Sequence, residues 1–196
     1  SLTLVARAGN DNNSSIVWGA RTSREEVIIE SSNTVAAGSI NIINGTLNCS
    51  VEKGGLLSSH FSCASGKTPF NISLNNMGCL KLKSSSIIFF ENSELMMSGS
   101  SSFEIDNSSL EETGISLSGR INIKHNANFT IKLPGNNLNS RGMIRFFLAI
   151  IELDGNARMD IISDEVDKNG FIYLHKSRFI IKGESGTLLF ASKNNA

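Results

Sequence analysis

The stretch from Ser84 to Leu133 alternates apolar and polar side chains in short segments, and this period of two constrains the fold more than any other feature. Two such segments are Ser101–Ile105 and Ala127–Ile131. Successive side chains on a strand point to opposite faces, so each segment would bury one row and expose the other. Ser, Asn and Gly, which favour turns, separate the segments. The pattern therefore predicts an all-β chain of short strands.

The intervals between the segments are typical of a coiled repeat. Their first apolar positions follow one another after 23, 26, 30 and 20 residues: Leu80, Phe103, Phe129, Met159 and Phe179. In a coiled repeat, each coil buries its apolar face by stacking on the next coil. We therefore predict a right-handed parallel β-helix (β-solenoid) that forms a single domain over residues 1–196, with 1–37 as a candidate N-terminal cap. The alternative is a β-sandwich, because short sandwich strands give the same alternation.

Two segments follow the alternation poorly. Residues 52–68 contain several glycines and serines and few apolar residues, so we interpret them as a loop-like excursion. The apolar run from Met143 to Leu153 fits a strand pair and a helix about equally well. This run is too short to span a membrane and is interrupted by Arg145, so we expect it in the core and predict no transmembrane segment.

The charge composition argues against one class of partner. The chain has 18 Lys and Arg, 18 Asp and Glu, and a formal net charge of zero. Binding of nucleic acid requires a clustered excess of basic residues, so we predict no nucleic-acid partner. The polar residues are mainly Ser, Asn and Thr, which suit a carbohydrate or protein partner better. The chain begins with Ser and without a signal peptide, so we expect a mature form or a part of a larger protein.

Some segments resemble a known class of protein. Asn126–Ile131 and Asn156–Ile161 are similar to the coils of bacterial right-handed parallel β-helices, above all autotransporter passengers and related secreted adhesins. The resemblance extends over residues 38–190 and concerns the overall pattern rather than a diagnostic motif. It implies an exported chain, secreted or at the cell surface, with an extended binding surface. It implies no specific functional residue.

Four side chains of the kinds that bind zinc lie in the first half of the chain: Cys49, His60, Cys63 and Cys79. Structural zinc sites usually combine two closely spaced pairs, whereas Cys49 and Cys79 stand alone in the sequence. Two cysteines stacked inside successive coils, or one disulfide, explain the set more simply, and which two would pair stays open. We therefore predict no metal site and no cofactor.

A second segment has partial metal-ligand spacing. Residues Glu165–Ile172 resemble the first part of an EF-hand calcium loop, with oxygen ligands at alternate positions and a glycine in place. However, Glu165 replaces the usual first Asp, and Lys176 stands where the bidentate acid belongs. Asp167–Gly170 is also a favourable four-residue turn, and we interpret the segment as that turn.

Cleavage of a polysaccharide on this scaffold would require paired carboxylates, or bound calcium together with a basic residue. The candidates are Asp160, Asp164, Asp167 and Arg178. Their spacing does not place them on one face, so we interpret them as solvated charges, and we expect His125 and His175 at the surface near strand ends. The motifs of serine nucleophiles and of phosphate-binding loops are absent from the sequence. We therefore predict no catalytic residue.

These observations favour a non-enzymatic, secreted or cell-surface β-helix module with an adhesive, binding or structural role. The alternative is a polysaccharide lyase or glycoside hydrolase on the same scaffold. An enzyme of that kind would need a concave strip with several carboxylates and aromatic platforms. An adhesin or a spacer can present flat faces.

Overall fold

The computed structural model describes residues 15–18, 26–31, 35–37, 39–51, 60–63, 71–84, 86–89, 91, 93–135, 141–163, 172–183 and 185–192. All regular structure in these residues is β-strand. The strands are β1 (Ser15–Trp18), β2 (Glu26–Ser31), β3 (Val35–Ala37), β4 (Ser39–Val51), β5 (His60–Cys63), β6 (Asn71–Ser84), β7 (Ser86–Phe89), β8 (Glu94–Met97), β9 (Ser102–Asp106), β10 (Glu112–His125), β11 (Asn128–Leu133), β12 (Arg141–Gly155), β13 (Arg158–Ser163), β14 (Ile172–His175), β15 (Arg178–Lys182) and β16 (Thr187–Ser192).

The described strands pair in parallel and form three ladders. The first ladder contains β1, the first parts of β4 and β6, β8, the last parts of β10 and β12, and β15. The second contains β2, the last parts of β4 and β6, β9, β11, β13 and β16. The third contains β3, β5, β7, the first parts of β10 and β12, and β14.

The chain passes from the first ladder to the second and then to the third before it begins the next coil, so each strand pairs with its equivalents one coil away. This arrangement is a parallel β-solenoid, as predicted. The β-sandwich alternative is wrong, because a sandwich pairs its strands antiparallel. The right-handed sense stays a prediction, based on the strong preference of parallel crossover connections for that hand.

The core consists of apolar rows that run through successive coils. Leu80, Phe103, Phe129 and Met159 are register partners in the second ladder, and all four are buried. The rings of Phe103 and Phe129 stack with centroids 4.7 Å apart. The predicted repeat is confirmed for these four residues but is wrong for Phe179, which lies on β15 in the first ladder. The next member of the row is Leu188, because the same alternation recurs on all three ladders and does not identify the ladder.

The segments that the sequence left uncertain are strands where they are described. The excursion predicted over residues 52–68 contains β5, which pairs with β3 and β7, so the loop interpretation is wrong there. Phe61 is the single large apolar residue of β5, which is too little for a visible alternation. The run from Met143 to Leu153 lies within β12, and its strand reading is correct. The candidate cap over residues 1–37 contains β1, β2 and β3, which form the first described coil.

Two corners of the solenoid differ in regularity. Between the first and second ladders, each coil from the second described one onward places one residue with positive φ at the turn, among them Asn76, Gly99 and His125. A Cβ atom on Gly99 would lie 2.9 Å from the Asn76 Cα atom, so this turn requires glycine. The connections between the second and third ladders vary more, from one residue between β6 and β7 to eight between β13 and β14.

Candidate functional site

The outer face of the second ladder carries an open depression of about 430 Å³, which we call the charged depression. Its lining contains two lysines, two carboxylates and four further residues: Lys81, Lys83, Glu104, Asp106, Asn48, Leu82, Ser108 and Ser109. The outward positions of β6 and β9 supply the charged side chains, because inward positions on the same strands hold the core. With two carboxylates in its lining, this depression can be compared with the carboxylate-lined strip that an enzyme would need.

The two carboxylates of the charged depression share one cation. The Lys132 Nζ atom lies 2.6 Å from Glu104 Oε1 and 3.1 Å from Asp106 Oδ2. These hydrogen bonds, the one to Glu104 foremost, raise the pKa of Lys132. Burial acts to raise the pKa of Asp106, but hydrogen bonds from Ser108 and Lys132 outweigh it, so this pKa lies below its ordinary value. A general acid needs a raised pKa, so Asp106 is tuned in the opposite direction.

Asp160, the one carboxylate candidate among the described residues, lies on a different ladder from Arg178. Asp160 lies on β13 in the second ladder, where Arg158 Nε donates to its two oxygens at 2.8 and 2.6 Å. Arg178 lies on β15 in the first ladder, paired with Ile150. Asp160 is only 6% exposed, so its interpretation as a solvated charge is wrong. Asp164 and Asp167 lie outside the described residues.

The cysteines occupy different register positions. Cys49 on β4 pairs with Leu82, whereas Cys79 on β6 pairs with Thr46, so these two are offset along the strands rather than stacked. Cys79 is half-buried with a free thiol. His60 and Cys63 lie on β5 in the third ladder. The described residues contain no group of three or more His, Cys, Asp or Glu side chains arranged to hold a metal ion.

The two histidine candidates lie at strand ends. His125 and His175 are exposed at the ends of β10 and β14, as predicted. The Nδ1 atom of His125 accepts a hydrogen bond from the Gly99 N–H at 3.3 Å. The start of the calcium-like segment, residues 165–171, lies outside the described residues, and Lys176 at its twelfth position is exposed with a φ of 47°.

A second surface, which we call the aromatic patch, lies on the third ladder and at the corner where it meets the first: Arg145, Phe147, Leu148, Tyr173 and His175. All five side chains are exposed, and Phe147, Leu148 and Tyr173 keep 41%, 39% and 48% of their area accessible. The rings of Phe147 and His175 stack with centroids 4.9 Å apart and an interplanar angle of 6°. The register places Arg145 beside Tyr173 and Phe147 beside His175. The patch therefore spans two coils.

A bulge in β12 adds Leu148 to the aromatic patch. Between the paired positions Leu117/Phe146 and Gly119/Ala149, β10 has one residue and β12 has two, Phe147 and Leu148. Such an extra residue bends the strand and redirects side chains. Leu148 has a φ of 53°, a left-handed conformation that costs a non-glycine residue about 1–2 kcal/mol.

The patch combines backbone strain with exposed apolar area. Strained residues cluster at functional sites, and exposed apolar patches often mark interaction surfaces. Sequence reasoning does not predict this site. Its one local sign is that Phe146, Phe147 and Leu148 interrupt the alternation, and such a run is equally typical of a core segment.

Comparison with protein-family models gives no match to the chain, and comparisons with curated proteins and with solved structures give none either. Within the described residues, no helix has the length and apolar character needed to cross a bilayer. The class defined by the fold is therefore the parallel β-solenoid, assigned from strand pairing alone.

Proposed function

We propose that this β-solenoid is a non-enzymatic binding module, secreted or displayed at a cell surface, that uses the aromatic patch to contact a protein partner. The observation that carries the proposal is the exposed, strained Leu148 next to Phe147, whose ring stacks on His175 of the following coil. Aromatic residues and arginine are enriched in the centres of protein interfaces, and Arg145 completes that composition here. The resemblance to bacterial autotransporter passengers and adhesins supports the extracellular part of the proposal.

The chemistry of the charged depression also supports a binding role over catalysis. Glu104 and Asp106 are ion-paired with the same lysine, and the lowered pKa of Asp106 disfavours the protonated form that cleavage of a glycosidic bond requires. Asp160 is similarly occupied by Arg158.

The proposal is tested by surface binding to immobilised collagen, fibronectin and laminin, with Phe147→Ser/Tyr173→Ser as the variant and Met96→Ser as the matched control. Met96 is 41% exposed on the first ladder, away from the patch. Loss of two central aromatic contacts should weaken binding at least about tenfold, and the control should bind like the native chain. Absence of binding to all three proteins, or equal loss in the control, would contradict the proposal.

A parallel assay addresses the enzymatic alternative. The native chain is incubated with uronate-containing polysaccharides, and new unsaturated ends or reducing ends are monitored. We expect neither product. Cleavage that is lost on replacing Asp106 or Asp160 by Asn would overturn the non-enzymatic assignment.

A further inference from the structure

One lysine of the charged depression has no described partner, because the carboxylate beside it is bonded to another residue. Lys81 on β6 and Glu104 on β9 are register partners, and both side chains line the depression on the outer face of the second ladder. The Oε1 atom of Glu104 lies 2.6 Å from the Nζ atom of Lys132 on the following coil. Within the described residues, Lys81 is exposed and has no ion pair. Its ammonium group is therefore accessible to a ligand.

The second carboxylate of the depression, that of Asp106, is also bonded within the protein. Its Oδ1 atom accepts hydrogen bonds from the N–H and the hydroxyl of Ser108, at 3.2 and 2.6 Å. Its Oδ2 atom accepts one from the Lys132 Nζ atom at 3.1 Å. Lys132 itself is not among the lining residues, so a cation beside the depression holds both carboxylates. Lys81 and Lys83 supply the positive charge of the lining.

Few further charges lie near Lys81 along the ladder. β4, the strand that precedes β6, contains no charged residue. Two acidic residues on β2 are two strands from β6, about 10 Å between backbones, and two more follow the turn after β9 without lining the depression. A further pair, of opposite charge, follows β4 outside the described residues. In that order, the residues are Glu26 and Glu30, Glu111 and Glu112, and Glu52 and Lys53. The lining therefore keeps its positive charge on the side of β6.

The uncharged part of the lining is suited to hydroxyl groups. Asn48 supplies a side-chain amide, and Ser109 supplies an exposed hydroxyl in the turn after β9. Amide and hydroxyl groups both donate to and accept from the hydroxyls of a sugar. The volume of the depression, about 430 Å³, is that of a small-molecule site, and its open, polar lining without aromatic rings suits a polar ligand. A sugar with an acidic group matches both the lysines and the uncharged lining.

We propose that the charged depression binds an acidic saccharide, whose carboxylate or sulfate group pairs with Lys81 and whose hydroxyl groups contact Asn48 and Ser109. Lys132 is a positioning residue for this site, because its bonds to Glu104 and to the neighbouring aspartate prevent those carboxylates from pairing with Lys81. The site lies on the second ladder and extends the proposed function, since it does not use the aromatic patch.

Amide NMR titrations of the native chain at low salt test the proposal. The probes are trigalacturonate, which carries carboxylates, a heparin-derived disaccharide, which carries sulfates, neutral maltotriose and sodium sulfate. Each acidic saccharide should shift amide signals of β6 and β9, with a Kd in the millimolar range because the site is open. Maltotriose and sodium sulfate should each bind at least about tenfold more weakly, because each offers only half of the recognised groups. High salt should weaken binding through screening.

Substitutions separate the binding lysine from the positioning lysine. Lys81→Gln should weaken binding of the acidic saccharides about fivefold or more, whereas Lys124→Gln, at an exposed lysine on the first ladder, should leave it unchanged. Lys132→Gln should also weaken binding, because it frees Glu104 to pair with Lys81. Adding Glu104→Gln to Lys132→Gln should recover binding, which a merely structural role of Lys132 would not produce. Circular dichroism verifies that each variant keeps its β-structure.

The outcomes distinguish this site from the aromatic patch. Phe147→Ser/Tyr173→Ser should bind the acidic saccharides like the native chain, even though it should lose contact with a protein partner. No shift of β6 and β9 signals with either acidic saccharide, or equal losses for Lys81→Gln and Lys124→Gln, would overturn the proposal. Sodium sulfate or maltotriose that binds as tightly as the acidic saccharides would overturn the assignment of the ligand.

Discussion

At the residue scale, Asn107 shows how one polar side chain fixes the position of a coil. It is fully buried between β9 and β10, and its Oδ1 atom accepts a hydrogen bond from the Ser84 N–H at 3.0 Å. Its Nδ2 atom donates to the Ser84 carbonyl and to Thr113 Oγ1, both at 2.7 Å. The turn between these strands can be expected from Asn107, Ser108 and Ser109, but the role of Asn107 cannot, because the sequence does not reveal that Ser84 lies beside it.

We expect Asn107→Ala to lower the free energy of unfolding by about 2–4 kcal/mol. The substitution leaves the N–H and carbonyl of Ser84 without these partners in a buried setting, and each unsatisfied group costs about 1–3 kcal/mol. Urea denaturation measures the change. The control is Asn122→Ala at a half-buried, outward position of β10, for which we expect less than about 0.5 kcal/mol. Equal effects for the two variants would contradict this role of Asn107.

At the element scale, β12 shows where the period-two pattern stops being informative. Its inward residues Ile144, Phe146, Ile151 and Leu153 are buried, and the alternation around each pair predicts a strand correctly. Between the pairs, the extra residue shifts the phase, so the whole run fits a helix as well as a strand. An extra residue at a corner can be recognised only by comparing that corner with the same corner in the preceding coil. The alternation within one segment gives no information about the neighbouring coil.

A substitution at the bulge in β12 should stabilise the chain, whereas most core substitutions lower the free energy of unfolding. Leu148→Asn should raise the free energy of unfolding by about 0.5–1 kcal/mol, because asparagine adopts the left-handed conformation at lower cost than leucine. If the strained leucine serves partner contact, the same variant should also bind the partner less well. Met96→Asn, at an exposed strand position without positive φ, should give no gain. A destabilised Leu148→Asn chain would show that the side chain stabilises the corner instead.

At the scale of the whole molecule, the alternation and the repeat interval are sufficient to predict the solenoid, because every coil repeats the same burial requirement. They are insufficient to assign strands to ladders, as Phe179 shows, or to predict which side chains meet on the outer faces. Those contacts depend on neighbours supplied by other coils: Lys132 on β11 reaches Glu104 and Asp106 on β9, and Lys182 on β15 reaches Glu152 on β12. Ion pairs therefore connect successive coils along the outer faces.

These ion pairs make stability depend on pH at the acid end. The folded chain lowers the pKa of Asp106 below its ordinary value of 3.8, so its contribution is complete above that value and is lost as the pH falls through the lower folded pKa. We expect Asp106→Asn and Lys132→Gln each to reduce the loss of stability that occurs as the pH falls. The measurement is the urea midpoint as a function of pH. It is made at low and at high salt, since screening weakens partly exposed ion pairs. Slopes identical to that of the native chain would contradict the prediction.

The unequal corners have a consequence for how such a chain can diverge. From the second described coil onward, the turns between the first and second ladders share a positive-φ residue, so a change of length there would disturb the neighbouring turns. The connections between the second and third ladders already differ in length, and closing a longer one costs only slightly more entropy. The connections from the third ladder back to the first vary too, from one residue between β3 and β4 to seven between β5 and β6. Insertions acquired during evolution should therefore accumulate at these two corners, which makes them the natural positions for grafting a foreign peptide.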